Sequence, residues 1–237
     1  MSRIRTVPET GSTNADLRAL ARDWPEGQWL RAGQQSAGRG RMGRHWLSPP
    51  GNLCASTLIR LVPGDPPVSG LGLMLGVAVH DALAGLLPQA TFALKWPNDV
   101  MVGNAKVAGM LLEREGDCVI AGIGVNVAVA PELPDRETVA LARLPGGEAI
   151  DAGAVLDALV PALDHWLAQW RATGNAGIIA AWSTRAHPPG THLLISGGAD
   201  RPQRGRFVGL DGDGALILAR EDGTQLLIHS GDVGVLR

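Results

Sequence analysis

Gly38-Arg39-Gly40-Arg41-Met42-Gly43-Arg44-His45-Trp46-Leu47-Ser48-Pro49-Pro50 is the stretch on which the fold reading turns. Gly38, Gly40 and Gly43 satisfy the GxGxxG spacing of a dinucleotide-binding turn, which would make the chain a doubly wound α/β protein. That turn needs a buried apolar strand before it, a helix opening within it, and an acidic residue about twenty positions on. Here Gly33-Gln34-Gln35-Ser36-Ala37 precedes the glycines, and the prolines that follow cannot continue a helix. The acidic position is empty as well, since Cys54 to Leu61 holds no carboxylate, and no GxxxxGK[ST] phosphate loop occurs. What remains is an anion cradle for a small ligand. Glycine lets the backbone approach closely, and arginine offers a planar fork of charged donors for phosphate or carboxylate. A solvated surface loop is the competing reading.

The flanks set the architecture. Ile4 to Val7 reads as a strand that enters the turn Pro8-Glu9-Thr10-Gly11. Ser12 or Thr13 can then cap a helix with Leu17, Leu20 and Ala21 on its apolar face. Trp29 to Ala32 is strand-like and leads into the loop. Beyond Pro49-Pro50-Gly51, Leu53 to Leu61 reads as a strand and Pro67 to Leu87 as a helix. Phe92 to Trp96, Ala108 to Glu113 and Val119 to Val129 are further strands, with Val102-Gly103-Asn104-Ala105 as a hairpin turn. Pro131 to Ile150 is Pro/Gly-rich and weakly patterned, which predicts a surface loop. Leu156, Leu159, Leu163, Trp166, Leu167 and Trp170 recur at helical spacing over Ala154 to Ala172, so both tryptophans are expected in the core. A short helix over Ile178 to Arg185 follows.

The pattern changes at His187-Pro188-Pro189-Gly190. Short strands follow at His192 to Ile195, Gly205 to Leu210, Ala215 to Leu218 and Gln225 to His229. Gly197-Gly198, Asp211-Gly212-Asp213-Gly214 and Asp222-Gly223 are the turns between them. The expectation is an α+β domain over residues 1–187 with a small β-barrel over residues 188–237.

At 237 residues the chain can bury a full core. A formal net charge of -2 argues against sequence-independent nucleic-acid binding, which needs a broad basic face. Cys54 and Cys118 lie far apart with no metal-ligand spacing, so neither a disulfide scaffold nor a protein-held metal site is expected. Met1-Ser2-Arg3-Ile4-Arg5 has no apolar stretch behind it and does not read as a signal peptide. The long apolar region Val68 to Leu87 is broken by glycines and carries His80 and Asp81, so it reads as a buried helix. A soluble, cytoplasmic protein without nucleic-acid or membrane partners is expected, and nothing in the sequence excludes a homodimer.

Two further polar clusters interrupt apolar strands. Lys95-Trp96-Pro97-Asn98-Asp99 ends one, and Lys106-Val107-Ala108-Gly109 opens the next. A lysine at the mouth of a strand is ordinarily a solvated edge residue. In Gly122-Ile123-Gly124-Val125-Asn126-Val127, Asn126 breaks an apolar run, and a buried asparagine needs partners. It either satisfies local backbone or faces a ligand.

Together with Gly11-Ser12-Thr13-Asn14 and the stretch from Gln35 to Trp46, these clusters resemble the biotin protein ligase family in order and spacing. The resemblance spans Thr10 to about Val127. It implies a mixed-sheet α+β catalytic domain like that of class II aminoacyl-tRNA synthetases, with a small C-terminal SH3-like β-barrel. It also implies a two-step ligase: biotin's carboxylate attacks the α-phosphate of ATP, and a lysine of a biotin carboxyl carrier protein domain then attacks biotinyl-5′-AMP. Neither step needs an enzyme nucleophile; the protein has to position repelling anions and stabilise developing charge. By position, the resemblance places Ser12, Thr13, Asn14, Gln35, Gly38, Arg39, Gly40 and Arg41 around biotin. Arg41, Arg44, Trp46, Asn98, Asp99 and Asn126 would serve ATP and its Mg²⁺, with Trp46 against the adenine face. Lys106, between biotin's carboxylate and the α-phosphate, is the leading catalytic candidate, with Arg41 beside it.

The chain departs from the family pattern in places. It leaves no room for the N-terminal helix-turn-helix domain that many members carry, so a monofunctional ligase is expected and not a biotin-operon repressor. Cys54 stands where relatives often have an aromatic, and Met42 stands at a loop position that can be basic. The rival readings are a lipoate-protein ligase, a non-catalytic biotin or nucleotide sensor, and a DNA-binding regulator. Three glycines and mutually repelling arginines also predict a loop that is mobile until an anion arrives.

Overall fold

The computed structural model describes residues 3–134, 136–196 and 202–236. Its first part is a seven-stranded sheet in the order β1-β2-β3-β7-β6-β5-β4. The strands are β1 (Ile4–Thr10), β2 (Trp29–Gln35), β3 (Leu53–Arg60), β4 (Phe92–Lys95), β5 (Asp99–Val102), β6 (Ala105–Glu115) and β7 (Cys118–Val125). β1 and β2 are parallel, joined through α1 (Thr13–Leu20), and every other pair is antiparallel, which makes the sheet mixed. Two long helices, α2 (Leu71–Leu86) and α3 (Ala152–Ser183), cover one face.

The alternation along β3 and β7 decides what each face does. Leu53, Ala55 and Ile59 of β3, with Val119, Ala121, Ile123 and Val125 of β7, join the core under α2 and α3. The intervening residues face α1, where Leu58, Cys118 and Ile120 pack with Leu17, Ala21, Trp24 and Leu30 in a second, smaller core. α1 is short and covers only part of this face. Beyond it the same rows continue as Ser56, Gly122 and Gly124, small or polar residues, and the two glycines form a cavity floor.

α2 is apolar on all sides because it lies between the sheet and α3. Met74, Leu75, Val77 and Ala78 are fully buried. By length and apolarity Val68–Leu86 is capable of crossing a membrane, with a mean hydropathy of 1.4, yet here it is the central core helix. Each such leucine or valine contributes about 1.5–3 kcal/mol through burial. The Asp151 side chain caps α3 by accepting from the amide of Ala154 at 2.8 Å. The two helical segments expected over 154–172 and 178–185 are present within α3, separated by a kink at Gly174, whose backbone is non-helical (φ 67°, ψ −167°).

From His192 the chain forms a five-stranded antiparallel sheet, order β11-β10-β9-β8-β12. Its strands are β8 (His192–Ser196), β9 (Gln203–Leu210), β10 (Leu216–Ala219), β11 (Gln225–Ile228) and β12 (Asp232–Val235). It curls around Leu193, Ile195, Phe207, Leu216, Leu218 and Val233, which are continuous with the main core through the edge-to-face contact of Phe207 with Trp182. The fold is thus α+β with a small SH3-like C-terminal sheet.

Several expectations need correcting. β1 runs through Pro8 to Thr10, because an edge strand tolerates a proline. Leu20 is 41% exposed, because the inward face of this segment runs through Leu17, Ala21 and Trp24 and Leu20 lies at its edge. β5 and β12 were not foreseen; both are short strands next to polar clusters. The 102–105 turn joins β5 to β6. Pro131 to Ile150 is no simple surface loop: Ala140 and Leu141 are fully buried, and its backbone bonds to Lys106, Asn126 and Val127. Trp170 is core, but Trp166 is half-buried and donates to Asp81. The Gly197-Gly198 turn lies outside the described residues.

Candidate active site

A cavity of about 1070 Å³ opens on the α1 side of the sheet, at the upper limit of small-molecule sites. The Gly/Arg loop forms one wall as a tight hairpin. Arg39 and His45 pair across it, the Gly40 amide donates to Arg44 O at 2.7 Å, and the Trp46 amide donates to Gly38 O at 2.9 Å. Gly38 is off the cavity wall; it closes the hairpin, where a Cβ would collide with Trp46 O. Arg39, Gly40, Arg41 and Arg44 do line the cavity, whereas Met42, in the left-handed region at φ 56° and 63% exposed, does not.

The arginines do not face each other unpartnered. Arg41 donates to Asn98 Oδ1 at 3.4 Å and to Gly231 O at 3.3 Å. Arg44 Nη2 pairs with Asp232 at 2.5 Å. The repulsion expected to keep the empty loop open is therefore met by the start of β12, 188 residues along the chain. Burial pulls the Arg41 guanidinium below its usual value, against the nearby carboxylates of Asp232 and Asp99.

Trp46 lies along the floor. Its ring packs on the backbone of Gly124 and Gly109, with Lys106 Nζ 5.3 Å from the ring centroid. A side chain at 124 would occupy the space of the indole, so glycine is required there by close approach and not by backbone conformation. Gly122 plays the same part for the Asn14 side chain.

A polar chain crosses the other end. Gln35 Oε1 accepts from the amide and hydroxyl of Thr13 at 2.8 and 3.0 Å. Thr13 Oγ1 lies 2.6 Å from Ser56 Oγ, which donates to Asn14 Oδ1 at 2.7 Å. Asn14 Nδ2 reaches Glu113 at 2.8 Å, and Glu113 pairs with Arg18. Thr13 and Ser56 supply two hydroxyl protons for their mutual contact and the contacts with Gln35 Oε1 and Asn14 Oδ1, so acceptor capacity is left over for a ligand N–H. Ser12 starts this corner as the N-cap of α1, and its hydroxyl accepts from the Ala15 amide.

The charged centre is Lys95, Asp99 and Lys106. Asp99 Oδ1 takes Lys106 Nζ at 2.5 Å, and Oδ2 takes Lys95 Nζ at 3.2 Å. Pairing between β5 and β6 shifts at this point, leaving Val107 as the extra residue and aiming Lys106 into the cavity. Residues 137–139 hold it there, with the Lys106 amide donating to Glu137 O and the Val139 amide to Lys106 O. Burial pushes the Lys106 ammonium down from its ordinary value, and Asp99 only partly offsets this. Burial acts upward on Asp99, but the two lysines outweigh it and hold the carboxylate below its usual range. Asn98 Nδ2 donates to Met110 O at 2.6 Å, and Asn126 Nδ2 to Lys106 O at 3.3 Å. Asn126 Oδ1 is buried without a hydrogen-bond partner, so its polar capacity is left for a ligand.

The profile of the biotin/lipoate A/B protein ligase family matches residues 5–127, and that of the biotin protein ligase C-terminal domain matches residues 196–235. The chain belongs to this family. A biotin–[acetyl-CoA-carboxylase] ligase of Paracoccus denitrificans is 38% identical, over 93% of this chain and 96% of its own length. One from Mycobacterium tuberculosis is 36% identical, over 99% and 89%. The structure of a biotin protein ligase from Aquifex aeolicus in complex with biotin and ATP superposes with a TM-score of 0.85, at 29% identity and full coverage of both chains. These relatives place the chain on the biotin branch of the family and against the lipoate and sensor readings.

Of the residues singled out in the sequence, the ligase brings all but Gly38 to one cavity: Ser12, Thr13, Asn14, Gln35, Arg39, Gly40, Arg41, Arg44, Trp46, Asn98, Asp99, Lys106 and Asn126. Sequence reasoning missed the site roles of Ser56, Glu113, Lys95 and Asp232. Lys95 alone carried a signal, as a cation four residues before Asp99. Ser56 and Glu113 belong to ordinary alternating strands, and Asp232 to a strand that was not foreseen. Cys54 is buried beside the Gly/Arg loop, where burial pushes its thiol up.

Proposed function

We propose that this chain is a cytoplasmic biotin–protein ligase that makes biotinyl-5′-AMP from biotin and ATP and transfers biotin to a lysine of a biotin carboxyl carrier domain. The observation that carries the reading is Lys106: a buried cation turned into the cavity by a bulge, paired with Asp99, with arginines of the Gly/Arg loop on the adjoining wall. Activation brings two anions together, and a fixed cation between them reduces their repulsion. In this role Lys106 would follow the charge as biotin's carboxylate oxygen bonds to the α-phosphorus and pyrophosphate departs. Arg41 would bind phosphate oxygens from the Gly/Arg loop. Thr13, Asn14, Gln35, Arg39 and Gly40 would surround the biotin ring system, where Gln35 and the Thr13–Ser56 pair offer both donors and acceptors. Trp46, on its glycine floor, supplies an aromatic face for adenine. Transfer then needs no enzyme nucleophile: the acceptor's neutral amine attacks the carbonyl and AMP leaves.

Mg²⁺ fits as an ion carried by the nucleotide. Both oxygens of Asp99 are occupied by lysines, and among the described residues no trio of His, Cys, Asp or Glu forms a metal cage. Asn126 Oδ1 is the buried oxygen that would add a ligand from the protein. Bound there, the ion would neutralise charge on the phosphates. The roles divide between a catalytic domain over residues 1–187 and an SH3-like domain over residues 188–237.

The test is biotin-dependent exchange of labelled pyrophosphate into ATP, followed by transfer to a carrier-domain lysine. The wild-type chain should do both with biotin and not with lipoate. Lys106→Ala should lose about 10²–10³-fold in exchange while keeping its fold. Exchange supported by lipoate, or a Lys106→Ala variant with normal exchange, would overturn the reading.

A further inference from the structure

The outer face of the C-terminal sheet continues the cavity wall. On β8, Leu193 and Ile195 point into the core, so His192, Leu194 and Ser196 point outward, and Leu194 and Ser196 line the cavity. Across the antiparallel pair, Leu194 stands opposite Arg204 and His192 opposite Arg206. Opposed residues share a face. Arg204 and Arg206 therefore sit on the same surface as the cavity wall, one strand spacing or about 4.8 Å further out. Both are exposed, and no ion pair is made by either among the described residues. No carboxylate occurs on β8, β9, β10 or β11, and Asp232 on β12 is already paired with Arg44. Further out the face turns apolar, with Ile217 opposite the 53% exposed Leu227. In a chain of formal net charge -2, these strands present two arginines without an ion pair among the described residues, bordered by apolar side chains, with the nearest acidic residues of β10–β11, Glu221 and Asp222, in the turn and not on the face.

We propose that this face of β8 and β9, centred on Arg204 and Arg206, docks an acidic flank of the acceptor protein domain. The inference rests on the ligase reading above. An acceptor lysine can enter the cavity only if the surface around it lies against the cavity's border, and this border is cationic. Two guanidinium groups two residues apart on a strand present their forks to carboxylates on a folded surface, and such charges act mainly by accelerating encounter. The phosphate-facing cations of the cavity, Arg41, Lys95 and Lys106, are a separate set held by Asp99, Asn98 and Gly231 O.

The experiment compares wild type, the double variant Arg204→Glu/Arg206→Glu and the charge-retaining Arg204→Lys/Arg206→Lys. Exchange of pyrophosphate into ATP is measured with biotin, and transfer is measured from preformed biotinyl-5′-AMP to a carrier domain over a range of NaCl. The expected result for the glutamate variant is exchange within about twofold of wild type and acceptor kcat/KM about tenfold lower at low salt, carried by KM. The lysine variant should keep most of the transfer, and the gap should close near about 0.5 M salt. Unchanged transfer by the glutamate variant would overturn the proposal. A parallel fall in exchange with a raised KM for ATP would overturn it in favour of a phosphate contact. A wild-type chain inert in both reactions would instead remove the ligase reading beneath it.

Discussion

Gly124→Ala tests whether the cavity floor is built for binding and not for stability. A Cβ on Gly124 would stand 2.6 Å from Trp46 Nε1, with two ring carbons nearer still. Non-bonded heavy atoms prefer about 3.5 Å, so something must retreat by about 1 Å. β7 cannot move, because Gly124 is held in register between Cys54 of β3 and Gly109 of β6. Trp46 can, because it ends a surface hairpin. The cost of overpacking, about 1–3 kcal/mol, should therefore fall on the ligand-binding arrangement of Trp46. This corresponds to a loss of about 5- to 150-fold in kcat/KM for adenylate formation. Thermal melting should shift by no more than a few degrees. The assay is pyrophosphate exchange with biotin and ATP each varied, alongside melting followed by circular dichroism. A variant with intact exchange and a large drop in Tm would refute the reasoning, because the glycine would then serve the sheet.

Other outcomes follow from the charged groups. Asp99→Asn removes the charge that raises the Lys106 pKa against burial, so the alkaline limb of exchange, where Lys106 loses its proton, should move to lower pH; a pH–rate profile with an unmoved limb would separate Lys106 from the titrating group. Asp81, bound by Arg185 at 2.7 Å and by Trp166 and His80, is pulled from 3.8 to about 2, its hydrogen bonds and the Arg185 charge outweighing burial. Its contribution to stability is present above about pH 4 and lost as pH falls through about 2, so Tm should drop more steeply over that window in wild type than in Asp81→Asn. Equal slopes would show that the network is incidental. Trypsin cleavage after Arg39, Arg41 or Arg44 should slow when biotin and ATP are added, and should be faster in Asp232→Ala because the Gly/Arg hairpin loses its tie to β12. Identical cleavage rates in all three cases would mean that the hairpin neither closes nor leans on the C-terminal sheet.

The sequence by itself determined the local requirements of the chain. The prolines after Trp46 and the polar run before Gly38 excluded a dinucleotide turn, since both are conditions on neighbouring backbone. Helical spacing marked α3, alternation marked most strands, and Ser12 marked the start of α1. Polar side chains in apolar strands drew attention to Lys106 and Asn126 but left a solvated edge or a local backbone contact open; their naming as site residues came from the resemblance of the motifs to the biotin protein ligase family. Tertiary structure alone decided how these parts meet. That Gly124 is the bed of Trp46 depends on the β3–β7–β6 register; that Asp232 neutralises Arg44 depends on a strand 188 positions away. Residues 131–150 looked like solvent-exposed loop because they lack a period, yet their backbone bonds to Lys106 and Asn126 bury Ala140 and Leu141. Period and propensity encode what a segment needs from its nearest neighbours. They carry no record of which distant segment supplies a counter-charge or covers a glycine, because pairing register and sheet order set those contacts.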